Sequence, residues 1–128
     1  MKRITLQEAF NKIWTWFVIE KHEPSIRNGL CEYKFGKMRC ALGILLPNKL
    51  YKSNMEGSSI DFILTYNPEL RIHFPNVRMS VLQDLQNCHD LSADTECYQN
   101  RSSIFLEEIT EQLKTFAKSH RLKIIANT

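Results

Sequence analysis

The chain has 128 residues, 43% of them hydrophobic and 24% charged, with a formal net charge of +3. That length suits one domain, residues 1–128, built on one core, and the balance excludes a largely disordered chain. No apolar run is long enough to span a bilayer and the first residues lack the apolar stretch of a secretory signal, so a cytoplasmic protein with reduced cysteines is expected.

The charge is unevenly spread. Residues 27–52 carry Arg27, Lys34, Lys37, Arg39, Lys49 and Lys52 against Glu32, whereas residues 84–111 carry seven acids against Arg101. A basic end of this kind suits an anionic ligand or partner, although a solvated strand face would look the same.

In chain order, Thr5 and Glu8 have the spacing of a capping box, and Leu6, Phe10, Ile13 and Phe17 form an apolar stripe, so a helix is expected from residue 6 to about residue 21, before Pro24. Trp14 and Trp16 point to different faces of it. The aromatic cluster reads as core, with a partly exposed tryptophan stacking on a ligand as the other reading. Residues 22–29 are a connector ending in the turn pair Asn28-Gly29.

Residues 30–42 alternate on both sides of Gly36-Lys37, which predicts a β-hairpin with glycine at the turn's positive-φ position. In that register Phe35 faces Met38, Tyr33 faces Cys40 and Cys31 faces Leu42, giving one apolar face. Residues 43–47 are an apolar exit beneath the first helix, and residues 47–57 a loop with a short helical turn near residues 48–51. Ser58 or Ser59 caps a short helix that Asn67-Pro68 stops. Leu70, Ile72 and Phe74 alternate as an edge strand would.

A second helix is expected over residues 77–90, with Val81, Leu82, Leu85, Cys88 and His89 inward. Polar residues 91–102 read as a loop. The third long helix starts at Ser102 or Ser103, with Phe105, Leu106, Ile109, Leu113, Phe116 and Ala117 facing in. Residues 122–126 are open between a final strand and a tail. The fold expected is α+β: three main helices and a shorter one packed on a β-hairpin, with room for one extra edge strand.

The combination Cys31-x-Tyr33, Cys40-Ala41-x-Gly43-x-Leu45-x-Pro47, Tyr51, Met55-Glu56-Gly57 and Leu85-Gln86-x-x-His89-Asp90 resembles a family of small uncharacterised proteins of bacteriophages and prophages. The opening Leu6-Gln7-Glu8-Ala9-Phe10 is similar too, so the likeness spans residues 4–91. Asn48, where an acid is expected after the proline, and Cys88 before His89 depart from that pattern. The resemblance implies a phage-type accessory protein acting inside a bacterial cell, on a host protein or host system.

The residues that draw chemical attention are Tyr33, Arg39, Tyr51, Glu56 and His89. If the 47–57 loop folds over the hairpin, Glu56 could meet Arg39 or His89, with Arg39 and lysines for an anionic group and Tyr33 or Tyr51 for stacking. The same set would serve as a buried polar network pinning the loop. Cys31, Cys40, Cys88, His89 and Cys97 include zinc-type ligands but lack a C-x2-C clamp, so buried thiols and no metal are expected. Cys40, His89 and Asp90 could be described as nucleophile, base and orienter, yet Asp90 is expected to leave the helix in another direction. No phosphate-binding glycine loop and no standard nucleic-acid motif occurs.

The function expected is therefore a non-catalytic accessory binding protein, anti-defence in kind, that binds a host protein or sequesters a small nucleotide-like anion. It needs no cofactor and no membrane, and a homo-oligomer stays open. The alternative is a small hydrolase or transferase using Glu56 and His89.

Overall fold

Thr5 starts the first helix as the sequence requires. In the computed structural model, which describes residues 3–27, 30–99 and 102–125, with the side chains of residues 94–103 outside that description, the Glu8 amide donates to Thr5 Oγ1 at 3.0 Å and the Thr5 amide to Glu8 Oε1 at 2.8 Å. Helix α1, Leu6–Trp14, continues through a π turn at Thr15–Ile19, where the Glu20 amide reaches back to the Thr15 carbonyl at 2.8 Å. Lys21 then takes a positive φ of 58° and the helix ends, as expected from Pro24 downstream.

Two small antiparallel hairpins follow: β1 (Ile26–Arg27) with β2 (Leu30–Cys31), and β3 (Lys34–Phe35) with β4 (Met38–Arg39). The expected register is present, Phe35 opposite Met38 and the Cys40 amide donating to the Tyr33 carbonyl at 3.1 Å, around Gly36 at φ +60°. The Asn28-Gly29 turn lies outside the described residues.

The pairing stops there. Cys40 caps a short helix α2, Ala41–Leu45, its Sγ accepting the Gly43 amide, and Cys31 pairs with Ile26 instead of facing Leu42. Helical spacing lets Leu42, Leu45 and Leu46 all enter the core, which a continuing strand would have split between two faces. Gly43 makes the turn-in possible, since a Cβ there would lie 1.9 Å from the Tyr33 carbonyl oxygen. The apolar hairpin face is accordingly incomplete: Cys40 is buried and Tyr33 half-buried, while Cys31 and Phe35 are exposed.

After the loop, Ser59 Oγ accepts the Phe62 amide and caps α3, Ile60–Tyr66. The expected strand at residues 70–74 is a 3₁₀ helix, Pro68–His73, that buries Leu70 and Phe74. Pro68 favours a helical first turn, and the alternation mimicked a strand by coincidence of spacing. Helix α4 runs Met79–Gln99 and α5 Ser102–Ser119, so most of the expected 91–102 loop is helical. Those residues are polar but contain no glycine or proline, and Ser92 and Ala93 are buried in the continuing face.

The core joins α1, α2, α3, α4 and α5 around Phe10, Phe17, Leu42, Leu85 and Phe105, and the α+β class stands. Leu106 is half-buried rather than inward. Residues 122–125 form no strand: Gln7 brackets Lys123, donating to its carbonyl and accepting its amide, both at 2.8 Å. Ala126 lies outside the described residues. Among the described residues no helix is long and apolar enough to cross a membrane.

Candidate functional site

The loop from Pro47 to Gly57 folds onto the hairpin, and Glu56 fastens it. The amides of Tyr33 and Lys34 donate to its two oxygens at 2.7 and 3.0 Å, and Tyr51 Oη donates to Oε2 at 2.5 Å. Met55, buried beside it, and Gly57 at φ +81° let the chain present that carboxylate inward. Tyr33 Oη donates to the Ser58 carbonyl at 2.8 Å. Both phenols are pushed well above the usual tyrosine range, first by burial; the Tyr51 hydrogen bond to Glu56 adds to the effect. Glu56 thus meets neither Arg39 nor His89, and the polar network that pins the loop is what Tyr33, Tyr51 and Glu56 build.

Arg39 belongs to a different group on the same hairpin. Its register partner is Lys34, so two cations stand opposite each other. Arg39 donates to the carbonyls of Gly36 and Met38 at 2.8 and 2.7 Å and to Asn48 Oδ1 at 3.3 Å; Lys34 Nζ donates to the Leu46 carbonyl and to the same Asn48 Oδ1. Lys34 Nζ also lies 5.6 Å over the Tyr51 ring. Every one of these acceptors is neutral, and among the described residues neither cation has a carboxylate within ion-pair distance. Burial, and then the charge of Arg39, lower the Lys34 ammonium from 10.5 to about 8. The pair borders a hollow of about 310 Å³ that Trp16, Ile44 and Pro47 also line.

His89 is fully buried, packed between Phe17 and Phe105. Its Nε2 accepts the Ser25 amide at 3.0 Å, which places the proton on Nδ1, and Nδ1 donates to Asp90 Oδ1 at 2.9 Å. Asp90 also accepts from Gln86 Nε2 at 3.0 Å, while Gln86 Oε1 accepts the Leu42 amide at 2.8 Å. Contrary to expectation, then, Asp90 does orient His89, but the imidazole is a tie between α4 and the connector. Cys40 is not its nucleophile: buried at the α2 cap, its thiol is pushed up to about 12 by desolvation.

Cys31, His89 and Asp90 bring one ligand atom each to within 4.8 Å of one another, next to a polar hollow of about 270 Å³. A metal at Nδ1 would require the Nε2 proton to face the Ser25 amide, donor against donor, so the imidazole is not set up as a ligand. Cys88 is buried like Cys40, with its thiol also raised to about 12 by burial; Cys31 is exposed, against the expectation of buried thiols, and the Cys97 side chain lies outside the described residues.

Of the five residues expected to form one site, Tyr33, Tyr51 and Glu56 come together, Arg39 stands beside them, and His89 is separate. Lys34 was expected only as part of the basic end, Asn48 only as a departure from the family pattern, and Trp16 only as one of two tryptophans that could stack on a ligand. For Lys34 a signal existed, since the hairpin register already set it against Arg39, and like charges directly opposite are unfavourable unless something answers them. No protein family, curated protein or solved structure matches the chain.

Proposed function

We propose that the protein is a non-catalytic binding protein of phage type, working in the bacterial cytoplasm against a host defence system, and that it holds a small nucleotide-like anion at the Lys34–Arg39 hollow. One observation carries this reading: two neighbouring cations are held in place by neutral oxygens with no carboxylate within ion-pair distance among the described residues. Holding like charges together costs free energy that a bound anion would return, and the Glu56 clamp preorganises the loop that supplies Asn48. Resemblance to small phage and prophage proteins supplies the biological setting.

Catalysis by Glu56 and His89 has less support, because both would first have to give up their structural partners. A host protein as the occupant is favoured by a different feature, Leu30 at 71% exposure beside Arg27, whose guanidinium lies 5.6 Å over the Phe35 ring.

Calorimetric titration with ribose 5-phosphate tests the anion site. The expected Kd lies below about 1 mM. Arg39→Glu should abolish binding, and Asn48→Asp, which sets a carboxylate between the two cations, should weaken it about tenfold, a loss of ~1.4 kcal/mol. Native mass spectrometry of protein taken from bacterial lysate should recover an anion chemically unaltered. Equal binding by wild type and Arg39→Glu would remove the proposal, and a recovered ligand that the protein has transformed would favour the enzyme.

A further inference from the structure

The geometry points to Trp16 as the stacking surface for a flat ring on the ligand of the Lys34–Arg39 site, making that ligand a phosphorylated aromatic heterocycle of mononucleotide size rather than a bare anion. This rests on the anion-binding reading above and adds its second half. The hollow beside the cations adjoins another of about 460 Å³, lined by Asn11, Lys12, Thr15 and Glu20. Trp16 and Ile44 line both, so the indole stands between the two hollows. Each hollow is in the range of small-molecule sites, roughly 300–1,000 Å³.

Two facts single out this indole. Trp14, two residues earlier, is 3% exposed and belongs to the core, whereas Trp16, in the π turn that follows α1, is only half-buried. The Trp16 ring is stacked on His22, with centroids 3.6 Å apart and planes 19° from parallel, so it is held in place without a ligand. Its Nε1–H, like that of Trp14, is shielded from solvent and has no acceptor among the described residues. The tyrosines first expected to stack are engaged elsewhere: Tyr33 and Tyr51 spend their hydroxyls on Ser58 and Glu56, and neither borders the cation hollow.

A phosphate at Lys34 and Arg39 would therefore leave a ring lying along Trp16 and Ile44. Its edge would face Asn11, whose amide nitrogen is not used by the Gln7 hydrogen bond, and Thr15. Aromatic stacking tolerates any base, so Trp16 would set the class of ligand and the polar end its finer choice.

The experiment compares adenosine monophosphate with ribose 5-phosphate on the full chain. Adenosine monophosphate should bind about tenfold tighter or better, the usual worth of one stacked base. In a ¹H–¹⁵N spectrum of wild-type protein the Trp16 indole N–H should shift with adenosine monophosphate and stay in place with ribose 5-phosphate. Trp16→Leu should bring the two ligands to equal affinity, and Trp16→Phe, which keeps a ring and stands in should the leucine variant unfold, should retain part of the difference. Equal affinities in wild type, or an unmoved Trp16 resonance, would overturn the stacking role while leaving the anion site intact. Failure of both ligands to bind would overturn the anion site and this inference together.

Discussion

Two charged groups gathered at one hairpin are treated in opposite ways. Glu56 receives two backbone amides and a phenol, all within 3.0 Å, whereas Lys34 and Arg39 lean on carbonyls and one side-chain amide. A charge whose partners are all internal fixes the chain, and its energy is spent on architecture. Two like charges set opposite each other, with only neutral oxygens to answer them, keep a summed external field that an ion from solution can use. His89 falls on the first side of that divide: buried, with both ring nitrogens committed, it behaves as a bracket although its residue type and neighbours suggest chemistry.

The contrast breaks most completely at Gly43, where both groups share a support. Gly43→Ala would drive a methyl into the Tyr33 carbonyl, separating α2 from the hairpin that carries Lys34, Arg39 and the Glu56 amides. A loss of about 3 kcal/mol or more, or failure to fold, is expected in urea unfolding. Glu56→Gln is milder. An amide can serve one backbone N–H but turns a donor toward the other, so about 2 kcal/mol of stability should go, since hydrogen bonds to a charged acceptor are worth ~1.5–3 kcal/mol each. If that change were neutral in urea unfolding, Glu56 would not be the clamp, and the comparison would lose one of its sides.

The smallest effect is the pH dependence of the open side, and it has two signs. The Lys34 ammonium, with Arg39, Cys40 and the Tyr51 ring around it, loses its proton at about 8 in the fold and at 10.5 as an ordinary lysine. Between those values the unfolded chain binds the proton more tightly, so this group disfavours folding below about pH 8 and that cost fades as pH rises. Anion affinity runs the other way, constant from pH 7 to about 8 and declining above it. Ribose 5-phosphate suits the measurement because a phosphoryl group has finished titrating by then, its second pKa being about 6. Lys34→Met should abolish the slope; a wild-type affinity flat to pH 10 would show that Lys34 takes no part.

What the amino-acid order determined here is local. The Thr5 and Glu8 cap, the Gly36 turn with its register, the Ser59 cap and the apolar faces of α1 and α5 all follow from short-range spacing, because each is set by neighbours within one or two turns of chain. Tertiary structure decided where those elements stop and whom their polar groups meet. Residues 41–45 coiled instead of extending because the core needed three leucines on one side, residues 91–99 stayed helical because α4 had a surface to lie on, and Glu56 chose amides 22 and 23 residues away. A hydrogen-bond partner that distant leaves no trace in local pattern, so the sequence could gather Tyr33, Tyr51 and Glu56 as candidates but could not say that they form the clamp, nor that Arg39 and Lys34 meet at Asn48.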